Sequence, residues 1–353
     1  MKTKKYLEIY KIIKNRIISG DYKPGEKLPS KRVMADKAGC STITIENAYG
    51  MLCDEGYIEA RERSGYFVMK IDSGFAESEK KEINFSYLEE EPIPAGGDGF
   101  EYSLWFKTIR KVISENGERL FFKAPNMGCA VLRNAIADYL RRYRGMFAEP
   151  RRIIIGSGAE QLYETVVNIL GRDKRYGIEN PSYHRIEAVY RAEGATIQRL
   201  DMGKDGIKKS ELSSHEIDVL HVTPFKSFPT DITTSLSKKY EYLKWTDGKK
   251  FIVEDDFNSE FFVPGKPVET LYSIDTSGRV IYINTFSKSL SPSMRIGYMI
   301  LPEKLLPVYE EKLGSLSCSV PVLDQYILAE YISSGNFERH LNRVRRKNRN
   351  GQK

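Results

Sequence analysis

Val280-Ile281-Tyr282-Ile283 runs through Asn284 into Thr285-Phe286-Ser287-Lys288-Ser289-Leu290, so an apolar strand delivers a lysine flanked by hydroxyls to a turn. Upstream, Phe251-Ile252-Val253-Glu254-Asp255-Asp256 ends a second apolar strand on carboxylates. An amine and an acid delivered in this way are the minimum equipment for pyridoxal phosphate. The amine forms a Schiff base with its carbonyl, and the acid pairs with its pyridinium nitrogen. Each residue also has a plainer reading: most lysines are solvated, and an acid at a strand end can cap a turn or helix. Hydroxyls of Thr285, Ser287, Ser289 and Ser291 crowd around Lys288, and Arg295 follows; phosphate needs such a donor set.

Working outward, Arg152-Ile153-Ile154-Ile155 reads as a strand that breaks at Gly156-Ser157-Gly158, with a helix beginning at Ala159. Glycines followed by a helix N-terminus bring free N–H groups and a positive dipole end to one point, which suits a phosphate. Tight turns give the same letters. Leu132 to Arg142 is a helix with Leu132, Ala135, Ile136, Tyr139 and Leu140 on its apolar face. From about Trp105 onward helices alternate with short apolar strands, which predicts an α/β domain built on a mostly parallel sheet with helices on both faces.

The first 70 residues read differently. Tyr6, Ile9, Tyr10, Ile13 and Ile17 recur at helical spacing up to Gly20, and Pro24-Gly25 makes a turn. Ser30 is an N-cap for a short helix ending at Gly39, and Ser41 caps another with Ile45, Ala48, Tyr49 and Leu52 inside. Tyr57 to Arg61 and Tyr66 to Met69 read as strands joined across Glu62-Arg63-Ser64-Gly65. Three helices and a hairpin predict a winged helix-turn-helix, whose second short helix enters the major groove of DNA.

Charge supports that division. Residues 1–70 hold 14 Lys/Arg against 9 Asp/Glu, and residues 339–353 hold 7 basic residues and no acid, within a chain of net charge +7. A basic head on an acidic middle points to nucleic acid, although a solvated charged surface gives the same count. Four scattered cysteines without metal-ligand spacing argue against a metal site or disulfide framework and fit a cytoplasmic protein. No apolar run is long enough to span a bilayer.

The head resembles the GntR-type winged helix over nearly all of residues 5–69. The resemblance rests on Pro24-Gly25-Glu26-Lys27-Leu28-Pro29-Ser30-Lys31-Arg32, Ala48-Tyr49-Gly50-Met51-Leu52, Glu55-Gly56-Tyr57-Ile58 and Ser64-Gly65-Tyr66-Phe67-Val68. It implies DNA contacts from Ser30, Arg32, Ser41, Thr42, Thr44 and the wing residue Gly65. Thr42 stands where relatives often carry an arginine able to read guanine, so base specificity is expected to differ.

Residues 83–345 resemble the fold-type-I aminotransferase domain in the form attached to such heads, the MocR-type regulators. The resembling stretches include Ile155-Gly156-Ser157-Gly158-Ala159-Glu160-Gln161, Glu179-Asn180-Pro181-Ser182-Tyr183-His184-Arg185, Glu254-Asp255-Asp256 and Thr285 to Gly297. The resemblance implies that Lys288 carries pyridoxal 5'-phosphate and that Asp255 holds its ring nitrogen. Gly158, Ala159 and Glu160 would hold the phosphate through their backbone, with Thr285, Ser287 and Arg295. Tyr183 would stack on the ring, and Arg185 would face the ligand.

Two departures bear on the cofactor's oxygen edge. Phe257 replaces a usual tyrosine, and Pro224-Phe225-Lys226-Ser227-Phe228-Pro229-Thr230-Asp231 has lost a loop's usual His, Gln and Gly. Family chains also continue into a small domain that grips the ligand's carboxylate, so a fragment or a shortened product is expected here.

The expected organisation is a head at 1–70, a linker at 71–95 and a cofactor domain at 96–353 lacking that small domain. The expected function is a homodimeric DNA-binding transcriptional regulator. Its aminotransferase-like domain would sense an amino compound or pyridoxal phosphate rather than catalyse. The alternative is a pyridoxal-phosphate-dependent aminotransferase carrying a DNA-binding head.

Overall fold

A computed structural model describes residues 5–62, 64–70, 100–261, 269–291 and 293–351. The chain divides into two compact units, Met1–Glu91 and Pro92–Lys353. The segment 71–95, expected to be a linker, lies outside the described residues.

In the first unit, α1 (Lys5–Ile18), α2 (Lys31–Ala38), α3 (Thr42–Asp54), β1 (Ile58–Arg61) and β2 (Gly65–Val68) follow in the predicted order. Helical spacing puts Ile9, Ile13 and Ile17 on one side of α1, where they bury against Ile45, Ala48, Tyr49 and Leu52 of α3. The Ser30 hydroxyl accepts the Val33 N–H at the start of α2, and Gly39, with φ +56°, closes that helix in the left-handed region. Ser41 caps α3 through the Thr44 N–H. The hairpin pairs Ile58 with Val68, and Leu28 donates its N–H to the Tyr66 carbonyl, which ties the turn before α2 to the wing.

The second unit holds one eight-stranded sheet in the order β3-β10-β9-β8-β7-β4-β5-β6. Its strands are β3 (Ile153–Gly156), β4 (Arg175–Asn180), β5 (Thr196–Gly203), β6 (Gly206–Ile207), β7 (Val219–Val222), β8 (Phe251–Asp255), β9 (Val280–Thr285) and β10 (Gly297–Ile300). Five of these, β5, β4, β7, β8 and β9, run parallel to one another, whereas β10 is antiparallel to both β3 and β9 and β6 is antiparallel to β5. Gly297 faces Gly156 on one side and Thr285 on the other. A Cβ there would lie 3.0 Å from both Leu162 and Thr285, so glycine is what lets these elements close up.

Alternation along the strands feeds two apolar layers. Ile153, Ile155, Tyr282, Tyr298 and Ile300 pack on one face in a cluster with Leu104 and Trp105 of α4 (Tyr102–Asn116), with α5 (Ala130–Tyr139) and, further along the chain, with Leu328 and Ile332. Ile154, Ile281, Ile283, Met299 and Leu301 pack on the other against α6 (Ala159–Leu170) and α7 (His184–Ala192). Helices on both faces of a mostly parallel sheet are the predicted architecture. The helix expected over Leu132–Arg142 instead begins at Ala130, and its regular part stops at Tyr139. It then widens into a π turn over Leu140–Arg144, ended by Gly145 at φ +61°, and this turn carries Arg144 inward to pair with buried Asp256 at 2.9 Å. Among the described residues no helix is long and apolar enough to cross a membrane, and no cluster of three His, Cys, Asp or Glu could hold a metal ion.

Candidate cofactor and DNA sites

The carboxyl ends of β3, β4, β7, β8 and β9 converge on one edge of the sheet, the edge where open α/β sheets bind ligands. At the end of β3 the chain turns through Gly158, whose φ of +99° and ψ of −178° are strained for any residue with a Cβ. A Cβ at Gly158 would also lie 3.0 Å from the Arg295 guanidinium, so the arginine rests directly against this glycine. The N–H groups of Ala159 and Glu160, in the first turn of α6, have no acceptor within the helix. Glycine, helix start and cation thus form a cradle that fits a phosphate.

Glu160 adds a feature the sequence did not announce. One carboxylate oxygen accepts Arg185 at 2.5 Å and the other accepts Arg295 at 2.8 Å, so a single side chain ties both expected anion-binding arginines together. Arg185 first, and Arg295 with it, hold the Glu160 carboxyl below the ordinary value. The Tyr183 ring stands edge-on to Phe228, with centroids 6.2 Å apart, and Arg185 lies 6.0 Å from its centroid.

Lys288 leaves the sheet one short turn after β9, in a helix over Phe286–Ser289. Its amine meets the Asn258 side-chain oxygen and lies 4.9 Å from the Phe257 ring centroid and 5.8 Å from that of Phe261. Burial among these groups, and then the charge of Lys226, lower its pKa against a smaller opposing pull from Asp231. A lowered pKa leaves more of the nucleophilic free amine at neutral pH.

Asp255 ends β8 in register with Ile283 on β9. It is buried, accepts the Tyr163 hydroxyl and lies 3.8 Å from His221 Nε2, while His221 Nδ1 shares a 2.7 Å hydrogen bond with Tyr190. Behind it, Glu179 of β4 accepts the Ser227 hydroxyl and the Thr223 N–H, and burial pushes its pKa up to about 7. Pleating sends the next residue, Asp256, to other partners: Arg144 at 2.9 Å, the Ser259 hydroxyl at 2.6 Å and the Tyr282 hydroxyl at 2.8 Å. Burial raises the Asp256 pKa, but Arg144 and the two hydroxyls outweigh it and hold the group below its ordinary value.

The hydroxyl crowd around Lys288 is thinner than its sequence suggests. Thr285 is buried at the end of β9, and the Ser287 hydroxyl donates to the Met294 carbonyl at 3.3 Å. Ser289 is buried with its carbonyl accepting from His340, and Ser291 is occupied with Ser293 at 2.8 Å. A four-residue helix turns successive side chains through roughly 100° each, so neighbours in sequence do not share a face. Sequence reasoning missed Tyr163, His221, Glu179 and Asn258. A histidine within the apolar strand Val219–Val222 was a usable signal, and so was a tyrosine one turn after the Gly158 turn.

In the head, Arg32, Ser41 and Thr42 are exposed, whereas the Ser41 and Thr44 hydroxyls bond each other at 2.8 Å and the Ser30 hydroxyl caps α2. Ile43, 67% exposed at the start of α3, is an apolar side chain on this surface that sequence reasoning passed over. Gly65 has φ +110° and lies close to the Lys27 side chain, and Arg61 stacks on the wing residue Phe67 at 4.5 Å.

This chain belongs to the family that joins a gntR-type head to an aminotransferase class I and II domain. The model described as bacterial regulatory proteins, gntR family, matches residues 5–68, and that of aminotransferase class I and II matches residues 103–349. The uncharacterized HTH-type transcriptional regulator YdeL of Bacillus subtilis is 33% identical over 97% of this chain and 76% of its own length. The HTH-type pyridoxine biosynthesis transcriptional regulator PdxR of Corynebacterium glutamicum is 28% identical over 95% of this chain and 74% of its own. Among solved structures, an archaeal alanine:glyoxylate aminotransferase superposes with a TM-score of 0.63 at 24% identity, over 70% of this chain. The chain spans 63% of that structure's length, and the likeness shows the fold.

Proposed function

We propose that the chain is a DNA-binding transcriptional regulator whose aminotransferase-like unit binds pyridoxal 5'-phosphate and reports on an amino compound or on the cofactor itself. One observation carries the reading. The Lys288 amine and the Asp255 carboxylate stand at the ends of adjacent parallel strands, in a chain that also holds a winged helix with Arg32, Ser41 and Thr42 exposed. When bound, the cofactor supplies a carbonyl that condenses with primary amines and a ring that withdraws electrons from them.

The protein's residues do the rest. Lys288 offers an amine whose lowered pKa favours the nucleophilic form. Asp255, buried and bonded by Tyr163, would accept a ring N–H. Gly158, Ala159 and Glu160 present backbone donors to the phosphate with Arg295 beside them, and Thr285 and Ser287 stand at the lysine turn. Tyr183 would pack on the ring, and Arg185 would take an anionic group of the effector once Glu160 releases it.

The aminotransferase reading shares this site, but the curated relatives described above bear the names of regulators. We take the working form to be a homodimer in the cytoplasm, bound to double-stranded operator DNA. The test is fluorescence anisotropy on DNA from upstream of the gene, with and without pyridoxal phosphate and candidate amines. A regulator changes its DNA affinity or its footprint on addition. A protein that transaminates at ordinary rates, with DNA binding indifferent to every addition, is the enzyme instead.

A further inference from the structure

Phe257 brings a ring close to the Lys288 amine but no polar contact. The residue after it supplies one. The Asn258 side-chain oxygen accepts from the Lys288 amine, while its Nδ2 donates to the Lys226 carbonyl at 3.2 Å. Lys226 is held at φ +49° in a loop tied back by Ser227 to Ile232 and by Ser227 to Glu179. Asn258 is therefore fixed at one end by a structured loop and presents its other end to the amine. Among the described residues, the rings of Phe257 and Phe261 and the charges of Lys226 and Asp231 also act on the amine. Among the described residues, Asn258 is the hydrogen-bond acceptor placed on this amine.

We infer that Asn258 is the positioning residue of the Lys288 amine: anchored through its Nδ2 to the Lys226 loop, it accepts from the nitrogen through its side-chain oxygen and so aims it. The purpose of this contact rests on the cofactor reading above, but the contact itself does not.

An oxygen that accepts from the nitrogen favours its charged form over its neutral form. Replacing that oxygen in opposite directions gives opposite shifts. Asn258→Asp places a full negative charge in the same volume, and Asn258→Ala removes the acceptor. The measurement is the pH profile of Lys288 modification by trinitrobenzenesulfonate, on the full chain without cofactor, with the labelled peptide quantified by mass spectrometry. Near pH 8, Asn258→Asp should slow modification and Asn258→Ala should speed it, each by about threefold or more, the equivalent of roughly half a pKa unit.

Profiles that match the wild type in both variants, or that move in the same direction, overturn the inference. A parallel arm adds pyridoxal phosphate and borohydride to the wild type. Absence of a fixed adduct at Lys288 defeats the cofactor reading, and the modification profiles still decide the role of Asn258.

Discussion

In the head, Arg32, Ser41 and Thr42 stand exposed on two short helices, and each belongs to a motif contiguous in sequence. In the body, Asp255, Tyr163, His221 and Glu179 are buried and come from four different elements of the second unit. The head's surface side chains can change without disturbing the core beneath them. The body's site is part of its core, so each functional group there answers to a partner that also stabilises the fold. Tolerance to substitution at the working residues should therefore be high in the head and low in the body.

The largest expected effect is in the body. Lys288→Ala should abolish borohydride-fixable cofactor altogether, while DNA affinity measured without cofactor stays at the wild-type value. Loss of DNA binding in that variant would show that the two regions do not separate as described. In the wild type, fixation at limiting cofactor should rise with pH, with a midpoint below that of an ordinary lysine, because burial and Lys226 lower the Lys288 pKa. A midpoint at the ordinary value would contradict the environment described for this amine.

Next is Gly158→Ala, which combines a strained backbone with a Cβ 3.0 Å from Arg295. A strained backbone of this kind costs about 1–3 kcal/mol. It should appear as weaker cofactor binding by equilibrium absorbance titration and a lower melting temperature of the body. A neutral substitution would mean that the turn relaxes freely.

Arg32→Ala is the matching change in the head. It should weaken operator binding by roughly 1–3 kcal/mol if the guanidinium reads a base edge, and melting should not move. A drop in melting temperature as large as that of Gly158→Ala would erase the contrast between surface and core. Binding by the head should also fall steeply with salt in anisotropy titrations, as phosphate contacts release counterions.

The smallest effect belongs to Glu160→Gln. Glu160 has a lowered pKa, so its pairing with Arg185 and Arg295 is intact above the ordinary carboxyl range and is lost as pH falls through the depressed value. Partly exposed pairs of this type contribute about 0–1 kcal/mol. The variant should flatten the acid limb of body stability slightly and raise affinity for inorganic phosphate, since both arginines are released. Unchanged phosphate affinity would mean that Glu160 does not compete for them.

The same contrast explains what could be read from sequence. The head was legible almost residue by residue, because caps such as Ser30 and Ser41 and the left-handed Gly39 act within a few positions. In the body, the strands, the Gly158 turn and the Lys288–Asp255 pair were legible for the same local reason. Tyr163, His221 and Glu179 were not, because what matters about them is their packing across strands distant in sequence. The helix expected over Leu132–Arg142 gave no sign of the π turn that follows Tyr139, because Arg144, which that turn carries inward, pairs with buried Asp256, 112 positions away. Asn258 was not legible, because its anchor, the Lys226 carbonyl, and the amine it meets lie 32 and 30 positions away.

β10 is the last of its three strands to be synthesised but lies between the other two. Until Gly297–Ile300 has left the ribosome, β3 has no strand to pair with and β9 has an open edge. The turn at Gly158 and the turn at Lys288 are unconnected for as long as that lasts. Open edges of this kind invite pairing with other chains. By its topology the nascent body would keep these edges open until one antiparallel strand pairs with both neighbours at Gly297. A site that needs both turns would then form only on the finished sheet, and a cofactor would be captured after the sheet closes rather than guide its assembly.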